Sequence, residues 1–127
     1  MIQLTHVSKT YPSQISALSD VSLEISAGEF AFITGPSGSG KTTLLRILFC
    51  AESPTSGEVT VNGIRITDKG FGKIYQLRRT MGIVFQDFRL LHDRTVGENI
   101  GFALEVTGHV RKEVKKKVSE ILGRVGL

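Results

Sequence analysis

Apolar and polar residues alternate in two stretches of the first 26 positions. Ile2 and Leu4 alternate with Gln3 and Thr5, with His6 next on the apolar side; Val21, Leu23 and Ile25 alternate with Ser22, Glu24 and Ser26. A period of two turns one face of each segment toward a core, which predicts two half-buried antiparallel strands. The pattern then changes. GEFAFIT, residues 28–34, is a nearly unbroken apolar run, as expected of a strand buried on both faces in a parallel sheet. After the polar, glycine-rich stretch GPSGSGKTT comes TTLLRILFC, in which Leu44, Leu45, Ile47, Leu48 and Phe49 predict a helix apolar over most of its circumference and deeply packed.

Asn62 and Gly63 stand between two short β-rich runs in SPTSGEVTVNGIRI, the signature of a type I′ hairpin, because both residues tolerate positive φ. MGIVFQ, residues 81–86, predicts a second buried strand whose polar end, Gln86, falls where a core strand reaches the site-bearing edge of its sheet. Thr95 and Glu98 have capping-box spacing and predict a helix to about Thr107, broken at Gly108. In the last segment Val114, Val118, Ile121, Leu122 and Val125 recur at helical spacing.

Length and composition add bounds. The chain has 127 residues, 40% of them hydrophobic, enough for one domain with a real core and too few for two. The amino terminus lacks the basic region and apolar block of a secretory signal, and nowhere do about 18 apolar residues run together, so a cytosolic chain without a membrane span is expected. Cys50, the single cysteine, sits in the apolar helix pattern and reads as a small core residue. The net charge of +4 is concentrated in RKEVKKK, residues 111–117. The valine spacing turns those lysines outward as the wet face of an amphipathic helix; the alternative is attraction to acidic headgroups or nucleic acid. No aromatic residues interleave with the run to stack on bases, and no nucleic-acid partner is expected.

The chemistry concentrates in GPSGSGKTT. Gly35, Gly40, Lys41 and Thr42 satisfy G-x-x-x-x-G-K-[ST], with an apolar run before the motif and an apolar helix pattern after it. The loop Gly35, Pro36, Ser37, Gly38, Ser39 and Gly40 can turn successive backbone N–H groups inward around a phosphate, and the helix that follows adds unpaired N–H groups and its positive dipole end. Lys41 would reach the β and γ phosphates of a bound nucleotide, Thr42 would offer its hydroxyl to Mg²⁺, and Thr43 would bond the α phosphate or cap the helix. A chance lysine in a glycine-rich turn is the bland alternative. Tyr11 either stacks on a base or packs beside Pro12, and Gln86 either holds Mg²⁺ or a water or is ordinary strand-end polarity. His6, His92 and His109 have no acidic or cysteine companions at ligand spacing and read as structural or surface residues.

The order of these motifs, Tyr11, then GPSGSGKT, then GEVTVNG, then GIVFQD, resembles the nucleotide-binding subunit of ATP-binding cassette (ABC) transporters along the whole chain. The resemblance implies an α/β P-loop NTPase core, N-terminal portion, with an antiparallel β-subdomain. It also implies a division at residues 1–94 (β-subdomain and P-loop core) and 95–127 (the beginning of a helical subdomain). It implies ATP and Mg²⁺ as cofactors, adenine stacking by Tyr11, and contact of Gln86 with Mg²⁺. It further implies homodimerisation at full length and a place on the inner face of the cell membrane, with a membrane-embedded partner docked near Phe88, Leu90 and Leu91. MIQLTHVSKTYP and FQDFRLLHDRTVGENI resemble the cell-division subgroup of the family; lipoprotein-release and macrolide-exporter ATPases are the neighbouring alternative.

Only the front half of the family pattern is present. No LSGGQ-type signature, no apolar strand ending in Asp-Glu and no switch histidine occurs in the 127 residues, so binding with little or no hydrolysis is expected, together with an exposed apolar sheet edge. A P-loop GTPase or small-molecule kinase fits less well, since neither N-K-x-D nor D-x-x-G appears. A non-catalytic interaction module that binds nucleotide is the remaining class.

Overall fold

The alternation at the amino terminus does form strands. β1 (Ile2–Thr10) and β2 (Ser16–Ile25) pair antiparallel, with Ile2 opposite Ile25 and Leu4 opposite Leu23. The computed structural model describes residues 1–67, 72 and 74–127, and the chain divides into two units, 1–82 and 83–127.

One expectation changes at His6. The register slips between Leu4 and Val7, and His6 takes a left-handed φ of 50°. An inserted residue reverses the parity next to it, so Val7, fully buried, takes the core position and His6 points to solvent beside Asp20, Nδ1 to Oδ1 2.7 Å; the register slips again on either side of Lys9. β3 (Ser56–Val61) pairs antiparallel with the other side of β1, and Asn62 and Gly63, at φ 50° and 76°, turn the chain into β4 (Ile64–Arg65). Positive φ at both positions is the type I′ hairpin. The sheet order is β2-β1-β3-β4.

α1 (Lys41–Leu48) packs Leu44, Ile47 and Leu48 against Leu4, Val7, Leu18, Val59 and Val61 of the sheet. Burying one such side chain is worth roughly 1.5–3 kcal/mol. The helix is not apolar-packed all round: Leu45 is 49% exposed. It also stops before Cys50, which takes φ 60° beyond the Phe49 cap and donates its N–H to the Ile47 carbonyl. Cys50 still packs half-buried on the core, and burial pushes its thiol pKa up while the Arg78 charge draws it down. α2 (Ile74–Arg79), too short to show a period in the sequence, adds Leu77 to the core, and Arg78 donates to the carbonyls of Phe49 and Cys50.

The two expected parallel strands are the main difference. Residues 29–34 and 81–85 run without strand pairing, and Phe30 and Phe32 are 82% and 81% exposed, Val84 95%. A doubly buried strand needs hydrogen-bonded neighbours on both sides and cover on both faces. Among the described residues neither segment has them, and the apolar surface expected to be exposed is exposed.

The second unit contains α3 (Val96–Val106) and α4 (Arg111–Val125). Gly97 and Gly101 of α3 face Val118 and Val114 of α4: a Cβ on either glycine would lie at ordinary contact distance, 3.6 or 3.4 Å, from a valine methyl. Between the helices His109 Nδ1 is 3.2 Å from the Leu104 carbonyl and Lys117 Nζ 2.6 Å from Nε2. A carbonyl only accepts, so Nδ1 carries the proton and Nε2 receives the lysine's. No helix among the described residues is long and apolar enough to cross a membrane.

The capping box at the start of α3 is complete: the Glu98 N–H donates to Thr95 Oγ1 at 3.3 Å, and the Thr95 N–H and hydroxyl donate to Glu98 Oε2 at 2.8 and 2.9 Å. The Thr95 backbone hydrogen bond, then its hydroxyl, then the Arg94 charge hold the Glu98 carboxyl below its ordinary range. A folded-state pKa depressed in this way contributes stability above the unfolded pKa and loses it as pH falls through the folded value. Hydrogen exchange in the first turn of α3 is therefore expected to accelerate as pH falls below the usual glutamate range, after correction for intrinsic rates. Glu98→Gln should remove that pH dependence; an unchanged acid profile in the variant would contradict the assignment.

Candidate functional site

The loop that follows residues 29–34 enters α1 through Gly40, whose φ of 89° and ψ of 0° place it in the left-handed region at the N-cap. A Cβ at Gly40 would stand 2.3 Å from the Ala17 carbonyl oxygen and 2.9 Å from Leu18 Cδ2, so only glycine lets the helix start against β2. No side chain caps the helix. Its first-turn N–H groups therefore keep no intrahelical acceptor, and the positive end of the dipole opens onto the loop.

Lys41 turns back over that loop. Its Nζ donates to the carbonyls of Gly35 at 2.8 Å and Pro36 at 2.6 Å and to Ser39 Oγ at 3.3 Å. All three ammonium hydrogens thus find oxygen within the motif itself. Ser37, Gly38 and Ser39 are exposed, as is Thr42, whose hydroxyl is a hard oxygen donor of the kind Mg²⁺ takes. Thr43 is half-buried, and its Oγ1 lies 3.3 Å from the Tyr11 hydroxyl. The fold thus brings Tyr11 to the first turn of α1.

Tyr11 is held from several directions. Its N–H donates to the Ile15 carbonyl at 3.0 Å, and Lys9 Nζ stands 5.0 Å over its ring centroid. Lys9 carried no expectation in the sequence. Two positions before Tyr11 on an extended chain, it shares a side with that ring, and this spacing is the signal that could have found it.

In the second unit, Gln86 is exposed in a turn after the unpaired segment. Phe88 and Arg89 follow with φ of 54° and 49°, and the Arg89 guanidinium stacks 4.0 Å from the Phe85 centroid. Phe88 and Leu90 are exposed, whereas the Leu91 backbone is clamped by Asn99: its N–H donates to Oδ1 at 2.8 Å and its carbonyl accepts from Nδ2 at 3.1 Å. No group of three or more His, Cys, Asp or Glu residues able to hold a metal occurs among the described residues. Two of the three histidines have side-chain partners, His6 with Asp20 and His109 with Lys117.

An antiparallel sheet, a glycine-rich loop and a helix begun at Gly-Lys-Thr define the N-terminal portion of an ABC ATPase nucleotide-binding fold. Comparison with known proteins agrees. The ABC transporter family model matches residues 18–127, and the chain belongs to that family. A solved dimeric ATP-binding cassette in a post-hydrolysis state, bound to ADP and Pi, superposes with a TM-score of 0.87 at 38% identity, covering all of this chain and 58% of that one. Among curated relatives, the cell division ATP-binding protein FtsE of Mycobacterium tuberculosis is 47% identical over 128 residues, covering 100% of this chain and 56% of the relative. The methionine import ATP-binding protein MetN 1 of Yersinia pestis is 45% identical over 130 residues, with 38% of the relative covered. The chain thus spans about half the length of its FtsE relatives and less of the MetN proteins.

The two glycines of the loop separate conformation from close approach. Gly38 also has positive φ, 80°, but nothing lies within 4 Å of where its Cβ would be. Gly38→Ala should cost only the left-handed conformation, roughly 1–2 kcal/mol. Gly40→Ala should cost distinctly more, because backbone has to shift as well. Urea unfolding of both variants provides the comparison, and equal losses would contradict the seat of Gly40 on Ala17.

Proposed function

We propose that this chain forms the front half of the ATP-binding subunit of a membrane-coupled ABC ATPase, taking Mg-ATP in the loop 35–43. The observation that carries this reading is the uncapped start of α1, with Lys41 folded over the loop by Gly35, Pro36 and Ser39. An incoming triphosphate replaces those loop oxygens as acceptors for the ammonium, while the first-turn N–H groups, which have no competing cap, bond the phosphate oxygens. Thr42 would be a protein ligand for Mg²⁺, whose charge would neutralise the β and γ phosphates; for Gln86, in the second unit, contact with the cation is what the family resemblance implies. Thr43, fixed by Tyr11, bonds the α phosphate, and the Tyr11 ring takes the adenine.

The FtsE relatives, named as cell division ATP-binding proteins, support a role in cell division; a membrane partner of the FtsX kind docked near Phe88, Leu90 and Leu91, a dimeric full-length subunit and a place on the inner face of the membrane are part of the proposal and rest on the family resemblance. The exposure of Phe88 and Leu90 agrees with a docking surface there. The MetN relatives favour a second reading, in which the same cassette drives an importer. The 127 residues contain neither a signature loop nor an apolar strand ending in Asp-Glu, so these residues on their own bind nucleotide without turning it over.

Calorimetry of the 127-residue chain with Mg-ATP, with phosphate release followed on the same samples, tests the site. Binding without release is expected, and Lys41→Ala should abolish it. Tyr11→Ala should weaken ATP and ADP alike and leave their ratio unchanged. Equal binding by wild type and Lys41→Ala overturns the assignment.

A further inference from the structure

We propose that Lys9 is a positioning residue for the nucleotide: its ammonium lies against one face of Tyr11, fixes the ring, and leaves the opposite face to the base. This role rests on the stacking assigned to Tyr11 above. Lysine is usually a solvated surface residue, but the Lys9 side chain is only 13% exposed. Its Nζ donates to the Ser53 carbonyl at 2.7 Å and pairs with Glu52 Oε2 at 3.0 Å while standing 5.0 Å from the Tyr11 centroid. A flexible side chain anchored twice beyond the end of α1 has no reach left for a phosphate. Its charge is instead delivered to the π face of the ring.

The surrounding backbone makes this a fixed arrangement. The Thr10 N–H donates to Thr55 Oγ1 at 3.0 Å and the Thr55 N–H to the Ser8 carbonyl at 2.8 Å, so the chain on either side of Lys9 is bound to the segment that carries Glu52 and Ser53. The Tyr11 hydroxyl, 3.3 Å from Thr43 Oγ1, holds the far end of the ring to the first turn of α1. Stacking on a base requires a ring that is oriented before the ligand arrives, since ordering it afterwards subtracts from affinity. A cation behind the ring also withdraws electron density from the opposite face, which favours contact with an electron-rich purine.

Calorimetric titration of Mg-ATP and of Mg-tripolyphosphate, which has no base, separates this role from a purely structural one. Lys9→Met is expected to weaken ATP roughly three- to tenfold and leave tripolyphosphate unchanged. Lys9→Arg, which keeps a cation over the ring, should restore most of the loss, and Lys9→Met should add nothing in a Tyr11→Ala background. If Lys9→Met fails to fold, Lys9→Gln carries the same comparison. Equal weakening of both ligands, or an unchanged ATP affinity where Tyr11→Ala does weaken ATP, overturns the role of Lys9 alone. If Tyr11→Ala leaves ATP affinity unchanged, the stacking reading falls and Lys9 falls with it.

Discussion

The approach of Gly40 to the carbonyl of Ala17 is the contact on which the rest of the site depends. It sets α1 against β2, and one turn further on Leu44 and Ile47 bury themselves on the sheet. Because Gly40 is also the last residue of the glycine-rich loop, the direction of the helix N-terminus is inherited from the antiparallel sheet. The segment before the loop, 29–34, contributes no ladder of its own. The support of the loop in this chain therefore comes from its helical side, where the core is complete, and from β1 through Tyr11.

Features encoded over a few residues were legible in the sequence. The capping box at Thr95 and Glu98, the Asn62-Gly63 turn and the end of α3 before Gly108 each depend on neighbours within a handful of positions, and each formed as read. The glycine loop was legible for the same reason. What escaped was parity and partnership. A single bulge at His6 exchanged it for Val7 in the core, a change that composition does not foreshadow, and α2 is shorter than any period that could announce it. The apolar runs at 29–34 and 81–85 were read as buried strands because hydrophobicity says what a segment prefers; it does not say whether a neighbour is there to pair with it.

Long-range contacts make the same point for the site. Tyr11 meets Thr43 across 32 positions and Lys9 meets Ser53 across 44, and neither pairing leaves a local trace. On α4 local spacing was sufficient for the helix and for part of its face: Val114 is buried, Val118 and Leu122 are half-buried and the lysines are exposed, but Ile121 and Val125 of the same apolar stripe are exposed as well. The Lys116–Glu120 pair on that face, 3.8 Å apart and largely exposed, adds little, as screened surface pairs generally do. The joint before α4 depends more on His109, whose two ring nitrogens connect the end of α3 to Lys117.

The lysine of the loop also carries a consequence for ion selectivity. Its ammonium already has three oxygen acceptors from Gly35, Pro36 and Ser39. A halide offers a single centre and would leave donors stranded in exchange for the carbonyls it displaces, so abundant monovalent anions gain little by entering. A phosphoryl group brings several oxygens on one rigid centre and can replace the lost acceptors while reaching the helix N–H groups. On the proposed reading the loop would be guarded by its own backbone, and the ions to open it would be those with enough oxygens to take the backbone's place.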